Sequence, residues 1–243
     1  MQTIIVDDNH ALARKAADLF IIRAQETLTE NHQFSVALSG GSTPALMYRL
    51  LADAPLEWKN IHLFWSDERC VPPDHPDSNY RMTVESLISR INIPSQNIHR
   101  VIGEISPELA ADQYEQDLHT FFGKFPRFDL LLLGLGEDGH TASLFPSSSA
   151  LNERSRWVTS VPHNVPPLPL VPRVTLTLPV LNQARQVMFL VSGAGKAARL
   201  AEVLHSPKGS PLLPASLVQP DDGELIWLVD RAAAEKIGIE PEC

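Results

Sequence analysis

Cysteine is nearly missing from this chain. Of 243 residues only Cys70 and Cys243 carry thiols, too few for the spaced pairs that staple small secreted domains. A reducing, cytoplasmic compartment is the expected home. Long apolar runs are missing as well. The opening MQTIIVDDNHALARKAADLF has no basic start followed by an unbroken apolar stretch, and no run approaches the ~18 residues of a membrane span. Neither export nor insertion is expected. Basic charge is scarce, with 20 Lys and Arg against 29 Asp and Glu for a net charge of -9. Without a basic stripe a nucleic-acid partner is not expected, although a few local cations suffice to hold one small anion.

Other absences concern chemistry. The nine histidines lie far apart in sequence, no H-E-x-x-H occurs, and the two cysteines are distant, so no metal site is expected and activity should survive EDTA. A G-x-S-x-G nucleophile elbow is absent. So is the G-x-x-x-x-G-K-[ST] pattern of a nucleotide P-loop. No Ser/Gly linker, charge block or repeat divides the chain, which reads as a single domain, 1–243. A chain of this length can bury roughly 72% of its extended surface, so its core needs no staples.

Apolar runs at 3–6, 34–38, 61–65, 128–133, 186–191 and 225–229 read as strands. Several are apolar throughout, as in FDLLLL and LIWLV, which suits strands covered on both faces. Helical patterns lie between them, from an N-cap at Asn9, from Pro44 in a first turn, and at 79–90, 108–122 and 196–204. The alternation predicts an α/β fold, a mostly parallel Rossmann-like sheet with helices on both faces and right-handed crossovers. Ligands of such sheets sit beyond the carboxyl ends of the strands. The stretch HNVPPLPLVPR, 163–173, fits neither helix interior nor central strand. It reads equally as an ordered loop over the sheet's end or as a flexible, functionless loop.

Four loops carry candidate chemistry. In FSVALSGGSTPALMYRLL a strand runs into Ser39, Gly40, Gly41, Ser42 and Thr43 before a helix. Two glycines, three hydroxyls and a helix start make an anion cradle, more than a plain capped turn requires. In WSDER, Asp67, Glu68 and Arg69 follow a strand, where an arginine can bind an oxyanion and an acid orient it; taken alone, D-E-R is more often a surface salt bridge. In GLGEDGHTASLFP, Gly134, Gly136 and Gly139 formally match G-x-G-x-x-G. Glu137 and Asp138 stand where a pyrophosphate would approach, however, and Pro146 cuts short any following helix, so the dinucleotide reading is rejected. The turn instead presents Asp138 beside His140, an acid placed to orient an imidazole base, with a structural histidine as the plainer alternative. Asp67 or Glu68 is the reserve base. Arg173 and Lys196 are the remaining cations; a lysine at a helix start opposes the dipole, which favours a functional reason for it.

Taken in order, SGGSTP, WSDER with the later DSNY, GLGEDGHTASLFP, RVTLTLPVLNQAR and GAGKAA resemble the 6-phosphogluconolactonases of the glucosamine-6-phosphate isomerase superfamily. The resemblance runs from about the first helix to the WLVDRAA segment. It implies a Rossmann-like fold without a nucleotide, no cofactor, and hydrolysis of 6-phospho-D-glucono-1,5-lactone to 6-phosphogluconate in the oxidative pentose phosphate pathway. By the same resemblance His140 is the general base. Asp67, Arg69 and Asp138 surround the reacting end, and Ser39, Gly40, Gly41, Ser42, Thr43, Arg173 and Lys196 hold the phosphate. Deaminase relatives carry a glutamate five positions after the matching histidine, where this chain has Phe145, which favours the lactonase. A non-catalytic sugar-phosphate sensor is the other alternative; such proteins usually append a DNA-binding helix pair, and no spare basic N-terminal segment is seen here.

Overall fold

The computed structural model describes residues 1–205 and 213–238. Cys70 is a free thiol, and Cys243 lies outside the described residues. Six strands, β1 (Gln2–Val6), β2 (Phe34–Leu38), β3 (Ile61–Trp65), β5 (Leu130–Leu133), β8 (Gln186–Val191) and β9 (Glu224–Asp230), form one sheet in the order β1-β9-β8-β5-β2-β3. Every pairing within it is parallel, as expected.

The side-chain period of two sorts the strands between two cores. Val36 and Leu38 of β2, Leu130 and Leu132 of β5, and Met188 and Leu190 of β8 pack with α1 (Asn9–Glu30) and α2 (Ser42–Leu51). Their neighbours Ala37, Leu131, Leu133, Val187 and Phe189 face the other side. There they meet α4 (Pro107–Phe122), α6 (Ala197–His205) and α7 (Arg231–Ala234). Both faces are covered, which is why the strands read as continuous apolar runs.

Three expectations are corrected. A second, antiparallel sheet of β4 (Asp67–Arg69), β7 (Arg173–Leu176) and β6 (Val158–Val161), ordered β4-β7-β6, was not legible, because strands this short carry little periodicity. The segment read as a loop after β3 is therefore its first strand. The first helix is capped by Asp8, whose carboxylate accepts from the Ala11 N–H, rather than by Asn9. The helix expected over 79–90 stops as α3 (Asn79–Ser86), because Leu87 leaves helical geometry at φ -136° and ψ -64°.

One buried polar chain lies away from the strand ends. His62 Nδ1 stands 3.1 Å from His99 Nε2, and His99 Nδ1 stands 2.9 Å from Asp117 Oδ2. Burial, and then the charge of His99, push the His62 ring down to about 4, against the pull of Asp117. The unfolded ring takes a proton near ~6.5, so stability from this site is present above that pH and is lost as pH falls toward 4, by roughly 2–3 kcal/mol. His62→Phe is expected to shrink the difference in urea midpoint between pH 7 and pH 4.5. An unchanged difference would place the acid sensitivity elsewhere.

Candidate active site

Chain order and strand order combine to open the site. From β2 the chain passes through α2 to β3 on one side, whereas from β5 it proceeds to β8 on the other. Loops leaving the adjacent β2 and β5 thus diverge, and a crevice remains at their carboxyl ends. Ser39, Gly40 and Gly41 from the first loop face Gly134, Leu135, Gly136, His140 and Ala142 from the second across a cavity of about 210 Å³. Asp67 and Arg69 of β4, Asn79 of α3, Arg173 of β7 and Lys196 complete its lining.

The first loop meets both requirements of an anion cradle. Gly41 takes φ +115°, a conformation in which any side chain is strained. Gly40 has no room for one, since a Cβ would fall 1.9 Å from Asn79 Oδ1. Tyr48 fixes the strand end by donating to the Ser39 carbonyl at 2.9 Å and accepting from its N–H at 3.1 Å. Ser42 and Thr43 do not line the cavity; they form the first turn of α2, so what they offer an anion is the pair of N–H groups that a helix start leaves without an intrahelical partner.

The second loop is built around the expected acid and histidine. Gly136 N–H donates to the His140 carbonyl at 2.8 Å and Gly139 N–H to that of Gly136 at 3.0 Å. Thr141 Oγ1 donates to the Gly134 carbonyl at 2.9 Å. In this tight turn Asp138 Oδ1 stands 2.5 Å from His140 Nδ1 and also accepts the His140 N–H. Burial raises the Asp138 carboxyl, yet the hydrogen bonds and charge of His140 outweigh it and hold the group below the usual carboxylate range. An ionised Asp138 keeps the proton on Nδ1 and leaves Nε2 as the acceptor. Ala142, next along, is held at φ +47° beside the cavity, a local strain of the kind that clusters at functional sites.

The third group decides charge. Arg69, Arg173 and Lys196 line the cavity against one lining carboxylate, Asp67. Asp67 is held by Ser143 Oγ at 2.6 Å and Asn79 Nδ2 at 3.4 Å, and stands 4.0 Å from Arg173 Nη1. Arg173 is almost fully buried and donates to the carbonyls of Pro169 and Val171. Burial, then the nearby Arg69, draw its guanidinium below its ordinary range, and Asp67 opposes them. Arg69 Nη1 donates to the Asp77 carbonyl at 2.7 Å. Its Nε, like Ser39 Oγ, is buried without a partner among the described residues. An unmet buried polar group costs about 1–3 kcal/mol. Both belong to residues that line the cation-rich cavity.

Glu68 is corrected as a reserve base. Its carboxylate accepts from the N–H groups of Arg69, Asn79 and Tyr80 at 2.7 to 2.8 Å and from Ser78 Oγ at 3.2 Å. Burial raises its carboxyl despite those donors. Glu68 thus fastens α3 to β4 and does not line the cavity. Sequence reading also missed Asp230, which accepts from Gly193 N–H and Ser192 Oγ and so holds the loop carrying Lys196. An acid directly after the apolar run LIWLV was its only signal.

Lys196 closes a short 3-10 turn, Ala194–Lys196, and α6 begins one residue later. Glu137 Oε1 lies 3.8 Å from its Nζ. A second hollow of about 620 Å³ shares Gly136, His140 and Lys196 with the first and is walled by Asp138, Pro166 and Pro167. Through Pro166 and Pro167 the proline-rich stretch thus lies over the sheet's end, lining that hollow with His140.

Fold and site together define an α/β protein whose parallel-sheet crevice gathers three cationic side chains beside a histidine paired with a carboxylate. The family described as glucosamine-6-phosphate isomerases/6-phosphogluconolactonase matches residues 7–227, and the chain belongs to this family. It is 43% identical to a 6-phosphogluconolactonase of Synechocystis sp. and 41% identical to one of Nostoc sp., each alignment covering 97% of this chain and 98% of the relative. The crystal structure of 6-phosphogluconolactonase from Thermotoga maritima superposes with a TM-score of 0.83 at 36% identity, covering 95% of this chain and all of that one.

Proposed function

We propose that this chain is a lactone hydrolase that opens 6-phospho-D-glucono-1,5-lactone to 6-phosphogluconate in the pentose phosphate pathway, with His140 as the general base. The observation that carries the catalytic assignment is the 2.5 Å pairing of His140 Nδ1 with Asp138 at the edge of the cation-lined cavity. His140 Nε2 takes a proton from water as the water oxygen bonds to the lactone carbonyl carbon. The resulting oxyanion collapses, the bond from that carbon to the ring oxygen breaks, and the imidazolium returns the proton to the ring oxygen. Asp138 holds the tautomer and offsets the transient positive charge. Ser39, the N–H groups of 40–43, Arg173 and Lys196 hold the phosphate dianion, and Arg69 and Asp67 face the reacting end.

A δ-lactone is an activated ester, so positioning plus one base worth about 10²- to 10⁴-fold is a sufficient toolkit. The reading includes no nucleic-acid partner, in keeping with the net charge of -9, and places the enzyme in the cytoplasm. No described helix is long and apolar enough to cross a membrane. Release of 6-phosphogluconate from the lactone, corrected for spontaneous opening, tests the activity; a rate no faster than that background would end the lactonase reading.

Lys196→Ala removes one of three lining cations at a half-buried position. KM is expected to rise about tenfold, equivalent to ~1.4 kcal/mol of phosphate binding, with kcat within a few-fold. Unchanged KM in folded Lys196→Ala and Arg173→Ala would take both residues out of the phosphate set.

A further inference from the structure

Three side chains, those of His140, His163 and Arg173, meet around one apolar ring, that of Phe145. The ring of Phe145 lies 4.6 Å from that of His140, centroid to centroid, at 43°. On the same ring His163 stacks at 4.3 Å and 20°, and the Arg173 guanidinium carbon stands 5.7 Å from its centroid. His163 is buried and its Nε2 lies 2.6 Å from the Pro167 carbonyl. Arg173 donates to the Pro169 and Val171 carbonyls of the same loop. Phe145 is thus the shared contact of the proposed base, a phosphate-holding arginine and the histidine that pins the proline-rich loop.

The bond to Asp138 fixes only one edge of the His140 ring. With the covalent tie through Cβ, that bond restrains the ring at Cγ and Nδ1, so the remaining rocking displaces the far atoms, Nε2 and Cε1, the most. A broad contact on the ring face limits that rocking, and among the described residues Phe145 is the aromatic ring that packs on His140. We infer that Phe145 is a positioning residue that sets the plane of the His140 imidazole, and that His163 seats Phe145 by stacking on it while tied to Pro167. The role suits a phenyl ring for a further reason. When His140 carries the proton it is a cation against a π-system, a favourable contact that forms only as the reaction proceeds.

This inference rests on His140 being the base, and its test separates the two. Phe145→Leu keeps an apolar group but removes the plane. In the folded variant kcat is expected to fall at least tenfold, while KM and the dissociation constant of 6-phosphogluconate stay within threefold. Phe145→Tyr, which retains the ring, should recover most of kcat. In a His140→Asn background, Phe145→Leu should cost no further kcat, because residues acting through one group are not additive. An inactive His140→Asn with Phe145→Leu at wild-type kcat would overturn the positioning role and leave the base in place. A fully active His140→Asn would overturn both. Equal losses from Phe145→Leu in the two backgrounds would show that the ring supports the fold and not the base. Should Phe145→Leu not fold, the proton spectrum of the wild-type enzyme decides: the ring current of Phe145 should displace the His140 carbon-bound protons from ordinary imidazole positions, and undisplaced signals would overturn the proposal.

Discussion

Replacing His140 by asparagine is expected to lower kcat for lactone hydrolysis by about 10²- to 10⁴-fold, the usual worth of a positioned general base. Asparagine is polar and close in size, and it can still face Asp138, so the turn built by the Gly136, Gly139 and Thr141 hydrogen bonds should survive. What it lacks is a nitrogen able to accept a proton from water. The loss therefore falls on the transition state, and the dissociation constant of 6-phosphogluconate should change little. A folded His140→Asn enzyme that binds product normally and hydrolyses within a few-fold of wild type would make the histidine structural. Asp67, which lines the cavity, would then be the next residue to test.

The second large effect comes from a residue with no side chain. A Cβ added at Gly136 would lie 2.1 Å from His140 Nδ1, 2.3 Å from Cε1 and 2.6 Å from Asp138 Oδ1. Those distances are far inside contact, so the imidazole, its carboxylate, or both must move. Displacing a catalytic group by about 1 Å costs roughly 10²-fold, and Gly136→Ala should lose at least that in kcat. The backbone here lies outside the left-handed region that favours glycine, in contrast to Gly139 at φ +88°. Gly136→Ala should accordingly fold, and circular dichroism together with product binding should separate a displaced base from a disrupted turn. Wild-type kcat in the alanine variant would show that the ring moves aside freely and that its observed place is not needed.

Gly136 also shows where sequence reading is ambiguous. Its glycine is one of three that spell a dinucleotide pattern, and the acidic Glu137 and Asp138 with Pro146 sufficed to reject that reading. Yet nothing in the pattern says that the glycine's job is to clear space for a histidine four residues on. That is a property of the turn's path, visible once the Gly136 N–H is seen to bond the His140 carbonyl.

The sheet itself was legible because burial on both faces leaves its inner strands mostly apolar, with Ser35 and His62 the polar interruptions in β2 and β3, and β2, β3 and β8 begin and end where the expected runs do. Residues 128–133 promised a longer strand than β5, which starts at Leu130. The small sheet was not legible: β4, β6 and β7 are three or four residues long and take their partners from distant segments. Asp67 and Arg69 were read as loop residues for that reason, and they line one cavity with Ser39, Gly40 and Gly41.

By itself, then, the sequence determined the composition of the core, the alternation of strands and helices, and the loops after β2, β5 and β8 that carry the hydroxyls, the histidine with its acid, and the lysine. These are local properties, written in apolar periodicity, glycine placement and residue chemistry within a few positions of one another. Only the tertiary structure decided that Arg69 and Arg173 share one cavity, that Glu68 is consumed as the anchor of α3, and that Phe145 lies between His140 and the His163 that is tied to the proline-rich loop. The meeting of Arg69 with Arg173 joins segments far apart in the chain and is fixed by strand order, and the others depend on the paths of loops at the sheet's end, which no local pattern encodes.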